Sequence, residues 1–373
     1  MVGIGISDIG AQTLLYEDSF EGGVTAGGFG QEISGTSDGT IEIQISPGST
    51  IRQAWLLVGR LGDAPDVSFT FGNFNLDLNA TNQLSESFDV PNYGGISGVH
   101  GFDVTDMVDP STNFYPISIP AQNDVSNRYQ SFYLFVAFDN NLLGLVHTAL
   151  YLNEDDASDD QVFQLGDLVP LPDEEDIVVS SFCSYACSAN GDAQVMVVNG
   201  TNVGAMGNAD LGSASCSSVI GSYHYADGTA TGLNDDTVDG VVNEGDGLVE
   251  ISDYSNPGDT DLELVFFDGP NPSTDPDNIQ WAVSLTYGDA CEFPEHSVSE
   301  DQTICPGQEI ILWAEGAETV TWSLDGEDLV SEELMVSPEI STDYSVLMEF
   351  EGGCFREYQV EVEVNPIANP FSL

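Results

Sequence analysis

Apolar and polar positions alternate with a period of two along most of this chain, in short runs bounded by Gly, Pro, Asn and Asp. That alternation sends successive side chains to opposite faces of an extended backbone, so it predicts strands with one buried face. Helical spacing is nearly absent. The N-terminal region predicts about nine strands. The clearest are Thr40–Ile45, Ile51–Val58, Val67–Leu78, Phe114–Ile119, Ser131–Phe138, Leu142–Leu152 and Gln161–Leu165, with one helical turn at Asp103–Val108. Many short strands with irregular links predict a double-sheet jelly roll over residues 13–170. Leu168–Asp176 holds two prolines and four consecutive acids, which predicts a stiff, solvated linker. Beyond it, Ala193–Val198, Val219–Tyr225, Leu248–Ser252, Leu262–Phe267 and Ile279–Tyr287 predict a second β domain over 177–291. In the last of these strands Trp281, Val283, Leu285 and Tyr287 fall on one face and are expected in a core. Glu292–His296 reads as a second boundary, followed by a third domain over 297–366 and a tail, 367–373.

Composition narrows the class. The chain of 373 residues is 41% hydrophobic with 19 Phe, 13 Tyr and 4 Trp, enough to bury a core in each domain and contrary to disorder. It carries 63 acidic residues against four arginines (Arg52, Arg60, Arg128 and Arg356) and no lysine, for a net charge of −59. Such a charge repels phosphate and anionic lipid, so neither nucleic acid nor a membrane is expected as a partner. Any dense assembly needs cations to offset the repulsion. Without lysine no Schiff base, phosphate-loop lysine or Lys–Asn isopeptide bond forms, so a polymer must hold by non-covalent contacts or through cysteine. No apolar run approaches the length of a membrane-spanning helix. Residues 1–12 lack a basic segment, yet Ile9-Gly10-Ala11-Gln12 reads like the end of a cleavage site, so they are a signal remnant or a strand. A secreted, cell-surface location is expected.

The third domain carries a specific resemblance. Cys305-Pro-Gly-Gln, Ile310-Ile-Leu-Trp-Ala314, Val320-Thr-Trp322, Val336-Ser-Pro338, Thr342-Asp-Tyr344-Ser-Val346 and Gly353-Cys354 occur in this order. They are similar to the Ig-like modules of secreted surface adhesins of Gram-negative bacteria, including those associated with gliding motility. The resemblance covers about 70 residues and implies Trp322 in the central strand of the core, Tyr344 near a sheet corner and a Cys305–Cys354 disulfide. In the first domain, Ile51–Val58, Val67–Phe71 and Phe102–Val108 resemble a family of surface-protein β-sandwiches of unassigned function. A jelly roll followed by two Ig-like domains and a short tail resembles, as an architecture, the subunits of bacterial extracellular fibrils. In those, a terminal segment of one subunit docks on the next.

The six cysteines, an even number in an acidic, lysine-free chain, are expected to form disulfides. Zinc is the weaker reading, since Cys183 and Cys187 have no second close pair to complete a site. Besides Cys305–Cys354, the expected pairing is Cys187–Cys216 with Cys183–Cys291, one of three connectivities. No cofactor is expected, except Ca²⁺ at a loop of hard oxygen donors and glycines formed by Asp235, Asp236, Asp239, Asn243 and Asp246. Its spacing is not that of an EF-hand, and acid runs in loops are commonly just solvated. Asn79 and Asn199 lie in glycosylation sequons, and Thr237 lies in an acid–Thr–aliphatic sequence resembling bacterial O-glycosylation acceptors.

No catalytic constellation emerges, and the chain is not expected to be an enzyme. Gly35-Thr-Ser37-Asp-Gly39 fits a nucleophile elbow, but that motif needs a following helix and here a strand follows. His100, His147, His224 and His296 are isolated, and His147 reads as a hydrogen-bonded sheet residue. A glycosidase would need two facing carboxylates in a cleft. The ends are more telling: Val2, Ile4 and Ile6 alternate with slim residues, and Ile367, Pro370, Phe371 and Leu373 form an apolar tail. Burying such side chains is worth about 1.5–3 kcal/mol each, so each end is expected to dock, on its own domain or on a neighbour. The expected function is a structural subunit of an extracellular bacterial filament, a head-to-tail homopolymer made by docking or strand addition. The alternative is a monomeric adhesin or carbohydrate-binding protein with an exposed aromatic platform at Tyr93, Tyr115 and Tyr129.

Overall fold

The computed structural model describes residues 12–30, 38–89, 96–122, 124, 126–154, 160–173, 175–184, 194–205, 218–220, 222–233, 248–268, 279–288, 296–324, 327–350 and 355–365. These residues form an all-β protein of largely antiparallel sheets with two 3-10 turns, Thr105–Met107 and Ser252–Tyr254. By contact the chain divides into two compact units, Met1–Ala290 and Cys291–Leu373.

The first unit opens with Gln12–Gly30 (β1), Asp38–Glu42 (β2), Thr50–Leu61 (β3), Val67–Phe71 (β4), Phe74–Leu78 (β5), Gln83–Asp89 (β6) and Ile96–Asp103 (β7). Phe114–Ser118 (β8), Arg128–Asp139 (β9), Leu145–Asn153 (β10) and Gln161–Leu165 (β11) follow. It continues with Ile177–Ser184 (β12), Gln194–Val198 (β13), Thr201–Ala205 (β14), Ser218–Ile220 (β15) and Tyr223–Ala226 (β16). Thr229–Gly232 (β17), Leu248–Glu250 (β18), Leu262–Asp268 (β19) and Ile279–Gly288 (β20) complete it. The run Val67–Leu78, expected as one strand, is a hairpin that turns at Gly72, where φ is +57°.

β1 organises this unit, and its glycines had hidden it. It pairs antiparallel with β10 from Gln12 to Glu21 and with β9 from Gly22 to Gly30, and so stands between the two in the sheet. The sheet β2-β8-β4-β5 packs on one face of β3 and β9 through Ile41, Phe69, Phe71, Ile117, Phe132 and Leu134. The opposite face of β1, β3 and β9 packs on β10, β12 and β20 through Val24, Leu57, Phe135, Leu150, Phe182 and Trp281. The far face of β10, β12 and β20 meets the sheet β11-β19-β13-β14 through Tyr151, Phe163, Val179, Val198, Leu264 and Leu285. Three cores thus separate four layers, and the inner two layers belong to a single twelve-stranded sheet.

This arrangement corrects the expected division into domains 13–170 and 177–291. β20 pairs with both β10 and β12, which joins strands from the two sides of the proposed boundary. Leu168 and Leu171 are buried in the shared core, and their N–H groups donate to the carbonyls of Thr260 and Asp259. Leu168–Asp176 is therefore a packed connection, not a solvated linker.

A second correction concerns Trp281. The β12–β20 register shifts between Phe182 and Cys183, so Trp281 leaves the face of Val283, Leu285 and Tyr287 and enters the core between the inner layers. A bulge of this kind re-aims one side chain at the cost of one ladder position. There the ring lies over Gly59, and the indole N–H donates to Ser184 Oγ at 2.8 Å.

Hydroxyls between the inner layers satisfy one another. The Tyr133 hydroxyl donates to Ser180 Oγ at 2.9 Å and lies 3.0 Å from Ser284 Oγ, and the Tyr223 hydroxyl lies 2.8 Å from Thr286 Oγ1. A buried hydroxyl without a partner costs about 1–3 kcal/mol, so these groups hold the two layers in one register. Near the surface, Arg52 bonds Asp18 and Asp139, each at 2.8 Å, tying β3 to β1 and β9.

The second unit contains Ser297–Val298 (β21), Gln302–Ile304 (β22), Ile310–Glu315 (β23), Thr319–Leu324 (β24), Glu327–Val330 (β25), Glu333–Val336 (β26), Thr342–Glu349 (β27) and Phe355–Val364 (β28). The sheets β21-β23-β26 and β22-β28-β27-β24-β25 share a core of Leu312, Ala314, Trp322, Tyr344, Val346 and Val360.

Among the described residues Cys183 is buried on β12, beside Gln280, and Cys305 is exposed just beyond β22; each expected pairing, Cys305–Cys354, Cys183–Cys291 and Cys187–Cys216, involves at least one residue outside the described ones. Cys187, Cys216, Cys291 and Cys354 themselves lie outside the described residues.

Candidate functional site

A cleft of about 390 Å³ opens at one end of the sheet β2-β8-β4-β5, where the β4–β5 turn and the segment after β7 flank β8. Phe71, Phe74, Met107, Phe114, Tyr115 and Pro116 line it. Alternation along β8 buries Tyr115 and Ile117 and leaves Phe114 and Pro116 outside. Phe114 is 57% exposed and Phe74 42% exposed, whereas Phe71 and Tyr115 stack beneath at 5.1 Å. The floor is fixed by polar contacts: the Asp109 N–H donates to the Tyr115 hydroxyl at 2.8 Å, and that hydroxyl donates to the Asp109 carbonyl at 3.0 Å. Burial raises the Tyr115 phenol pKa. Ser111 donates its hydroxyl and its N–H to the Asp109 carboxylate, which lowers that carboxyl's pKa.

Asn73, Asp106, Asp109 and Thr112 line the cleft as well, so its exposed surface is more polar than apolar, and its carboxylates disfavour anions. The aromatic platform thus differs from the one expected. Tyr115 and Tyr129 are buried in the core, Tyr129 with its ring edge-on to His100, and Tyr93 lies outside the described residues. Phe114 and Phe74 take that place. The structure puts Tyr115 inside and Phe114 outside, the reverse of the expected facing, whereas Phe74 was obscured by reading the hairpin as one strand.

No protein-family model matches this sequence, and a search of curated proteins found no match. The functional reading therefore rests on the chain itself.

The other expected sites are placed as follows. The Ca²⁺ candidates Asp235, Asp236, Asp239, Asn243 and Asp246, the acceptor Thr237, the elbow serine Ser37 and the terminal segments with Val2, Ile4, Ile6, Ile367, Pro370, Phe371 and Leu373 lie outside the described residues. Among the described residues no group of three or more His, Cys, Asp or Glu gathers as a metal site, and no helix is long and apolar enough to cross a membrane. Asn79 accepts bonds from the Thr81 N–H and hydroxyl within its own turn. Asn199, at φ +48°, begins the β13–β14 turn, donates to the Tyr254 carbonyl and accepts the Glu263 N–H. His147 is a sheet residue whose Nδ1 lies 2.6 Å from Ser19 Oγ, its cross-strand partner. That serine–histidine contact lies on a strand pair away from the cleft.

His100 makes a measurable prediction. It is buried, with Nδ1 2.7 Å from Asn82 Oδ1, and burial with the nearby Arg60 charge pushes its pKa down to about 4. The unfolded imidazole, near 6.5, takes up its proton first, so this contribution is intact above about pH 6.5 and is lost as pH falls towards about 4. Chemical unfolding at several pH values should give His100→Gln a shallower loss of stability than wild type across that window. Parallel curves would refute the assignment.

Proposed function

We propose that this chain is a structural subunit of an extracellular filament, joined non-covalently head to tail by docking of a terminal segment onto a neighbouring copy. What supports this reading is the cleft beside the exposed Phe74 and Phe114, together with the apolar residues Val2, Ile4, Ile6, Ile367, Phe371 and Leu373 of the two terminal segments. A heterologous contact that does not close generates a filament. A lysine-free chain of net charge −59 favours a neutral contact of this kind. The first unit is read as a jelly-roll-like sandwich extended by a second sandwich on the same central strands. The second unit is read as Ig-like, supported by the buried Trp322 and Tyr344 of its two-sheet core. A Cys187–Cys216 disulfide, Ca²⁺ at the 235–246 loop and glycans at Asn79, Asn199 or Thr237 belong to the same proposal for a secreted protein.

Negative-stain microscopy of the full chain and of a chain lacking residues 367–373 tests it. Filaments from the first and dispersed particles from the second are expected. Dispersed particles in both preparations would defeat the filament reading. Phe74 and Phe114 also favour one alternative, a monomeric adhesin that stacks a sugar ring on them. Binding on a glycan array that Phe114→Ala abolishes would support that alternative.

A further inference from the structure

In the second unit, alternation along β23 and β26 turns Leu312, Ala314 and Val336 into the core and Ile311, Trp313 and Met335 outward. The outer face of an antiparallel sheet is normally polar, yet these three side chains are 50%, 41% and 62% exposed. They are also neighbours. Ile311 is the register partner of Met335, and Trp313 is the partner of Glu333. The Ala314 N–H donates to the Glu332 carbonyl at 2.9 Å, which makes Ala314 and Glu332 a hydrogen-bonded pair. The two kinds of pair alternate, so Trp313–Glu333 and Ile311–Met335 are of the non-hydrogen-bonded kind. Their Cα atoms then approach to about 4.5 Å, the spacing at which facing side chains interact most closely. Apolar residues exposed singly need no explanation, whereas a contiguous group with a charged rim marks a binding surface.

Carboxylates form that rim. Glu333 stands beside Trp313, Glu315 lies two residues further along β23 on the same face, and Glu309 immediately precedes the strand. All three are exposed, and Ser297 donates its hydroxyl to Glu315 Oε1 at 3.3 Å. The strip from Glu309 to Glu315 is about 20 Å long. A second copy is a poor occupant, because it would set the same carboxylates against these. The chain has no lysine to offset them. Arg52 bonds Asp18 and Asp139, Arg60 bonds Gln83 and the Ile96 carbonyl, and Arg128 is buried. Arg356 alone does not balance three glutamates.

We propose that this face docks a basic segment of a different protein, one in which an arginine or lysine neighbours an apolar side chain. The cation lies over the Trp313 ring, whose π face attracts it, and donates to the Glu333 carboxylate. The apolar neighbour covers Ile311 and Met335, the latter an unbranched thioether that adapts to the shape it meets. Glu309 and Glu315 steer further cations of the segment towards the strip. The site belongs to the second unit and uses neither the Phe114 cleft nor the terminal segments, so it goes beyond the filament reading and serves a subunit or a monomer alike.

The test probes an array of ten-residue basic, neutral and acidic peptides with the fluorescently labelled full chain, then titrates the retained peptides by calorimetry. Peptides that combine arginine or lysine with apolar residues should be retained. Their binding should weaken at least about tenfold in Trp313→Ala and in Glu333→Gln. Glu361→Gln removes the same charge from an exposed position on β28 and should leave binding unchanged. Glu333→Gln keeps the size of an exposed side chain, and a urea midpoint equal to wild type separates lost binding from lost fold. No retention, preference for neutral or acidic peptides, or indifference to Trp313→Ala would overturn the proposal. Equal weakening by Glu361→Gln would also overturn it, by showing only diffuse attraction to an acidic chain. Self-association in sedimentation that Trp313→Ala abolishes would assign the face to a second copy instead.

Discussion

Trp281→Ala is expected to lower the unfolding free energy by about 3–5 kcal/mol, the range for deleting a large aromatic from a packed core. The indole lies between the inner layers, fully buried, and its N–H is held by Ser184. Its space is provided by Gly59, where an added Cβ would stand 2.7 Å from the indole ring. Gly59→Ala alone should therefore cost about 1–3 kcal/mol through overpacking. With Trp281 already removed, the same methyl would enter the vacated space and most of its cost should disappear. Urea unfolding of both single variants and the double variant measures this coupling. Costs that add to within about 0.5 kcal/mol would show that the two sites are independent and that Trp281 does not occupy the bulged position.

Gly22→Ala should be at least as damaging as overpacking a core, about 3 kcal/mol. Gly22 marks the point where β1 exchanges β10 for β9, and its N–H donates to the Gly144 carbonyl at 3.2 Å. A Cβ there would stand 2.0 Å from the Phe138 carbonyl oxygen, a backbone atom of the paired strand that cannot rotate away. Relief requires β1 to part from β9, which disturbs both cores flanking β9. Gly166→Ala is the control, since nothing lies within 4 Å of its added Cβ, and it should stay within about 0.5 kcal/mol of wild type. Equal urea midpoints for the two variants would contradict the exchange of partners at Gly22.

Strands whose two faces differ in polarity were legible from the chain alone. Gln161–Leu165 has the expected limits, and Phe114–Ser118 differs from expectation by one residue. A period of two needs only local information, because each side chain's face follows from its neighbour's. β1 was not among the strands singled out, because Gly22, Gly23, Gly27, Gly28 and Gly30 interrupt its alternation of apolar and polar side chains. Their role in a strand is visible only where another backbone presses against them: a Cβ on Gly27 would meet the Glu42 carbonyl at 1.9 Å. The candidate groove was not legible: Tyr115 and Tyr129, expected outside, are buried, and Phe114, which was not singled out, is exposed, because nothing local marks which face of the strand meets a core.

By itself, the sequence determined the all-β class, the aromatic supply for its cores and the absence of lysine chemistry. The tertiary structure alone decided that the described residues between 12 and 288 share one set of layers. It also set the face taken by Trp281. The reason is the range of the interactions. Alternation, charge and proline act within a few residues, whereas the pairing of β20 with β10 joins positions more than a hundred residues apart. Such pairings are selected by how whole faces pack and how buried hydroxyls find partners, and neither property belongs to any one segment.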